Sequence, residues 1–308
     1  MKKAIRYSLW VCLLSWATVA VAYFGFGMNR MAKSYTVFAA AYMFFPLVTA
    51  LLLKWRDGEK FNSTNLVSFK VRPSWFVAWI LPVAMTFVCI LINGLLPGVE
   101  WHYGADQVLA QAGDALPEEQ REAVMQQLAK VPAAFMVLSS VFSALMAGVT
   151  INAVAAFGEE YGWRNYLVDA LRGKGFWTAS LFIGLVWGVW HFPIILMGHN
   201  YPNEPVWGVA LMVVMCLLLG VVELYFVLKT KSVVVAAVMH GTFNAISGLV
   251  LLFVRGGNDF LNGMTGLAGF ITMALAIGGI FLYDRCISKD DIMKKTLGES
   301  LGDEYGQG

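Results

Sequence analysis

Ala155-Ala156-Phe157-Gly158-Glu159-Glu160-Tyr161-Gly162-Trp163-Arg164 closes an apolar run that begins near residue 133. Two carboxylates and a guanidinium at the end of a run long enough to cross a bilayer decide how the chain is read. A charged group in hydrocarbon costs from about 2.5 to well over 10 kcal/mol, so a chain that keeps three together has a use for them. Working outward, two later apolar runs carry His191 and the pair His240 and Asn244.

The rest of the chain fits the same frame. Of 308 residues, 58% are hydrophobic and 14% charged, against roughly 25% charged in soluble domains. Apolar runs at about 7–28, 35–53, 75–97, 133–158, 176–197, 207–228, 232–254 and 264–283 each approach the ~20 residues a helix needs to span the hydrocarbon. They are too long and too uniformly apolar for barrel strands. The expectation is an all-α polytopic bundle of about eight transmembrane helices, a single domain over 1–287 with its functional core at 133–254, followed by a polar tail, 288–308, expected to be loosely ordered.

Charge sets the expected orientation. With the N-terminus inside, seventeen of the 22 Lys and Arg fall on the inner side, and Arg30, Lys33, Arg121, Lys130 and Arg255 fall outside. That bias places both termini in the cytoplasm, in the plasma (inner) membrane if the cell is prokaryotic. Ala20-Val21-Ala22 resembles a signal-cleavage site, but the apolar run continues past it, so the first helix is read as retained. Pro117-Glu118-Glu119 opens an expected interfacial helix in the long outer loop. A net charge of +2 is too small to suggest nucleic acid, and no nucleic-acid partner is expected; membrane lipid is the expected surroundings. The four cysteines are scattered, with neither a CxxC pair nor a disulfide framework.

Spacing divides the polar residues into roles. Glu160 and Arg164 are four apart, acid first, the favoured order for a helical ion pair. Glu159 is rotated by ~100° and faces a different neighbour, free to line a cavity as a general base. Pro193 should loosen its helix just after His191, freeing carbonyls to line a wet cavity. His240 and Asn244 share one helix face and could both donate to an oxyanion. Glu223, near the inner end of the sixth run, is expected at the surface. Helical rise puts Glu159 and His191 at one depth but leaves His240 ~8 Å shallower unless a hairpin projects or helices tilt.

Together these residues resemble the CPBP family, the CAAX proteases and bacteriocin-processing proteins also called the Abi family. Its pattern is EExxxR, FxxxH and HxxxN or HxxxD on successive helices of an eight-span core. The first motif is complete in Glu159, Glu160 and Arg164, and the third in His240 and Asn244; in the second, Trp187 stands where the pattern usually has Phe, ahead of His191. The resemblance implies an intramembrane endopeptidase with a conical cavity open to the cytoplasm and the membrane. It implies that Glu159 and His191 activate a water, that His240 and Asn244 stabilise the oxyanion, and that Glu160 and Arg164 orient the site or the substrate. The substrate would be a peptide or lipid-anchored protein, with no cofactor. Two alternatives stand beside this. Glu159, His191 and His240 could supply three ligands of a catalytic zinc, or the buried charges could serve a transporter or a non-enzymatic immunity or scaffold protein.

Overall fold

The computed structural model describes residues 1–29, 32, 34–105, 108–109 and 118–302; Arg30, Lys33, Pro117 and the last six residues of the tail lie outside them. The fold is a polytopic helical membrane bundle. In chain order its elements are α1 (Lys2–Ala20), α2 (Tyr35–Tyr42), α3 (Phe45–Arg56), α4 (Pro73–Asn93), β1 (Val99–Trp101), α5 (Glu118–Ala129), α6 (Ala133–Val149), α7 (Ile151–Glu160) and α8 (Leu167–Ala170). There follow α9 (Phe176–Trp190), α10 (Phe192–Leu196), α11 (Pro205–Thr230), α12 (Val233–Ile246), β2 (Val254–Gly256), α13 (Leu267–Leu282) and α14 (Leu297–Leu301).

Among the described residues, six helical segments are long and apolar enough to cross a membrane without a break. The other two expected spans are helical but not simple. The run 133–158 is two helices meeting at Thr150, whose φ of −124° and ψ of −109° leave the helical region. Thr150 Oγ1 donates to Met146 O at 2.6 Å, the back-bond by which a threonine bends a helix. The run 176–197 is α9, 15 residues long, continued by α10 after a turn at His191. Pro193 causes this break, as expected. Beside the break, the carbonyl of Trp190 accepts from the indole of Trp16 at 3.1 Å and the hydroxyl of Tyr42 at 2.9 Å.

Burial orders the helices. In α11, and in α12 with the 3₁₀ turn after it, 72% of the apolar window is buried against protein; in the α1 and α4 spans the shares are 22% and 33%. The outer helices turn apolar stripes away from the core: Phe135, Leu138 and Phe142 of α6 are 64%, 70% and 67% exposed. Their spacing marks one helix face, and a bilayer is the solvent that makes such a face favourable.

Small residues bring the central helices together. A Cβ on Gly188 would lie 2.6 Å from Val213 Cα, so α9 and α11 touch backbone to backbone. A Cβ on Gly241 would lie 2.9 Å from Ala153 N, so α12 and α7 do the same. These contacts carry His191 and His240 toward Glu159.

The expected helix of the outer loop is α5, set at about 102° to α6. On the same side β1 and β2 pair antiparallel, Val99 opposite Gly256. The tail departs from expectation. Residues 289–302 are docked: Thr296 and Glu299 form a reciprocal capping box on α14, and Met293 and Leu297 are buried. Leu297 N donates to Lys174 O at 3.0 Å, and Phe176 N to Lys295 O at 3.0 Å.

Candidate active site

After Glu160 the chain widens into a π-helical turn, Tyr161–Tyr166, before α8. Such turns insert a residue and are frequent at functional sites. Here the turn buries Tyr161, Trp163, Arg164, Asn165 and Tyr166 almost completely. Arg164 still reaches back one turn, donating from Nη1 to Glu160 Oε1 at 3.1 Å.

Glu160 Oε1 also contacts His240 Nδ1 at 2.8 Å. Arg164 Nη2 reaches a third carboxylate, Glu223 Oε2, at 2.5 Å. His240, Glu160, Arg164 and Glu223 therefore form one chain of contacts linking α12, α7 and α11. Glu223 was expected at the membrane surface; it is fully buried. A carboxylate seven residues from the helix end avoids burial alone only where a cation meets it, and Arg164 is that cation.

Glu159 faces elsewhere, as its rotation from Glu160 requires. Its Oε2 accepts from Trp187 Nε1 at 2.6 Å and from Trp163 Nε1 at 3.4 Å. Both hydrogen bonds land on one oxygen. The indole of Trp187 also lies beneath the Arg164 guanidinium, 4.3 Å from ring centroid to Cζ, and its ring centroid is 5.4 Å from that of His240 and 5.9 Å from that of His191. In the sequence Trp187 is marked only as one aromatic in place of another. Phenylalanine has no N–H and could not make the bond to Glu159.

His191 Nδ1 lies 2.9 Å from the Trp187 carbonyl. That oxygen only accepts, so Nδ1 carries a proton, and in the neutral ring Nε2 is the acceptor. Glu159 and His191 do not hydrogen-bond each other; Trp187 connects them. Asn244, one turn beyond His240, is exposed to the cavity. Glu159, His191, His240 and Asn244 all line one cavity of about 380 Å³, so the depth mismatch of simple helical rise is absorbed. Asn152, at the start of α7, also lines it and donates to Gly241 O at 3.1 Å. Nothing in the spacing singles out Asn152; a lone amide within an apolar run carries little signal.

The zinc alternative meets an obstacle. Among the described residues, the one group of three with ligand atoms within 4.8 Å of one another is Glu160, Glu223 and His240, not the expected Glu159, His191 and His240. The guanidinium of Arg164 already bridges both of its carboxylates. A dication there would have to share them with a fixed positive charge, so this group does not fit a metal.

With this geometry in place, comparison with known proteins adds the chemistry of the neighbourhood. Residues 140–246 match the family described as Rce1-like, type II CAAX prenyl endopeptidase. This stretch contains all three motifs. Over 97 residues the chain is 32% identical to a protein of Methanococcus maripaludis named CAAX prenyl protease 2. The aligned stretch covers 30% of this chain and 36% of that relative, so the likeness spans about a third of each.

Proposed function

We propose that this chain, whose residues 140–246 match the Rce1-like CAAX endopeptidase family, hydrolyses a peptide bond in a membrane-associated peptide or lipid-anchored protein. The observation that carries the reading is the single cavity lined by Glu159, His191, His240 and Asn244.

Each group has a task that its contacts suit. Glu159 has one oxygen held by two indole N–H groups, which leaves Oε1 to take the proton of a water. His191 offers the unprotonated Nε2 on the same cavity, so the two can flank one water and direct it at a carbonyl carbon. As the tetrahedral intermediate forms, its oxygen gains charge, and His240 Nε2 and the Asn244 amide are the donors placed to meet it. For Nε2 to donate while Nδ1 donates to Glu160, the ring must carry both protons. The carboxylates of Glu160 and Glu223 supply the compensating negative charge. The amine leaves with the proton that Glu159 or His191 took from water, which balances the hydrolysis. The guanidinium of Arg164 occupies the one three-ligand group among the described residues, and in this reading the proton transfers fall to the side chains themselves. A transporter or scaffold role would not call for a paired acceptor and donor set around one cavity.

The test is cleavage of a prenylated, CAAX-ended peptide by purified protein in detergent. Glu159→Gln and His191→Ala are each expected to lower kcat by about 10²–10⁴-fold, the usual contribution of general-base catalysis. Turnover at the wild-type rate in either variant would end the reading.

A further inference from the structure

The two ends of the bundle can be told apart by their loops, and the cavity opens at only one of them. At the first end, Lys3 pairs with Glu59 at 2.7 Å and Asp169 at 2.9 Å. Val233 N donates to Leu66 O at 2.8 Å, Lys231 Nζ to Leu301 O at 3.0 Å, and Lys229 pairs with Asp290. These bonds tie the N-terminus, the segment 57–72, the turn after α8, the turn before α12 and the docked tail into one face. It holds every residue that the charge bias assigns to the inner side except Arg164, which is buried within the bundle.

The second end is tied as closely. Asn93 donates to Asn262 at 2.9 Å, Asn203 N to Asp259 at 2.9 Å, and Tyr201 Oη to the Thr265 carbonyl at 2.8 Å. Of the described Lys and Arg, only Arg121, Lys130 and Arg255 belong here.

Starting from Glu159 and His240, the lining runs toward the second end. Asn152 and Met212 lie in the halves of α7 and α11 nearest that end, and Asn244 and Ser247 lie beyond His240 in the same direction. The last lining residues, His199, Asn200 and Thr265, are in the loops of that end. Toward the first end there is no opening. Glu160, Arg164 and Glu223 form a fully buried ionic layer, and Asn165 and Tyr166 are fully buried below it.

Positive charge collects on the cytoplasmic face of membrane proteins. We infer that the cavity is served from the non-cytoplasmic face, and that its ligand is a membrane-anchored polypeptide segment presented there. This is opposite to the cytoplasmic opening that the family resemblance implies. The lining fits such a ligand: Tyr42, Ile194, Met215 and Phe243 give apolar walls, with Asn152, His199 and Asn200 toward the mouth. That the ligand is a substrate rests on the peptidase reading; the side from which it enters does not.

The experiment separates the two. The full chain, with Cys12, Cys89, Cys216 and Cys286 replaced by alanine, carries Ser247→Cys or Asn200→Cys at the cavity mouth, or Lys60→Cys on the basic face. Right-side-out and inverted membrane vesicles are treated with a charged, membrane-impermeant maleimide. Ser247→Cys and Asn200→Cys are expected to react about tenfold faster in right-side-out vesicles, and Lys60→Cys about tenfold faster in inverted ones, since only an exposed thiol is attacked. Asn200 is in an exposed loop, so its variant reports even if Ser247→Cys does not fold. Reaction of the mouth cysteines from the same side as Lys60→Cys, or faster in inverted vesicles, overturns the inference. If labelling is as expected while Glu159→Gln still cleaves in detergent at the wild-type rate, the peptidase reading falls and the sidedness stands.

Discussion

Trp187 has the most consequential contacts of any single residue in the site. Its N–H holds Glu159, its ring carries Arg164, and its carbonyl sets the proton on His191. A hydrogen bond to a charged group contributes about 1.5–3 kcal/mol. If that bond orients Glu159 for the reaction, Trp187→Phe should lower kcat by about 10–100-fold with KM little changed. Steady-state kinetics on the same peptide checks this; an unchanged kcat would reduce Trp187 to packing. Glu223 invites a second measurement. Glu223→Ala removes one partner from a buried ionic chain, which typically costs about 3–5 kcal/mol. Thermal unfolding in detergent should show a clearly lowered midpoint, with Glu223→Gln milder, and an unmoved midpoint would contradict the pairing. At this scale the sequence was informative about residues that form spaced pairs. Glu160 with Arg164 and His240 with Asn244 declare themselves by four-residue spacing. Glu223 and Trp187 do not, because their partners lie 59 and 28 positions away, and only the packing of α11 and α9 brings them in.

At the scale of elements, apolar run length located the long helices of the bundle but not their breaks. The bend at Thr150 comes from one hydroxyl turned back onto Met146 O, and the π-helical turn at Tyr161–Tyr166 from packing that periodicity does not encode. The tail is the clearest case. Its polar, glycine-containing composition suggested loose order, yet Thr296 and Glu299 have the spacing of a capping box, and Met293 and Leu297 supply an apolar pair to dock. The structure uses both: α14 is capped at 3.3 Å by Thr296 Oγ1 on Glu299 N, and Leu297 is fully buried. Leu297→Ala should therefore cost about 2–5 kcal/mol, read as a fall in thermal stability. No change would mean that the tail is not part of the folded unit.

For the whole molecule, two patterns set by the sequence meet at one site. Small residues at helix contacts, such as Gly188 against Val213 and Gly241 against Ala153, gather α7, α9, α11 and α12. The buried Glu160–Arg164–Glu223 layer then closes the gathered core on the basic side. What is left is a cavity with a carboxylate and an imidazole acceptor on one part of its wall and an imidazole and amide donor pair on another. The central claim is that Glu159 and His191 act together on one water. Groups that act as a unit lose activity non-additively, so the direct measurement is kcat/KM for Glu159→Gln, His191→Ala and the double variant on one peptide. The account predicts that the double variant is no slower than the worse single one, to within about threefold. Losses that multiply would mean that the two residues act independently, and would contradict it.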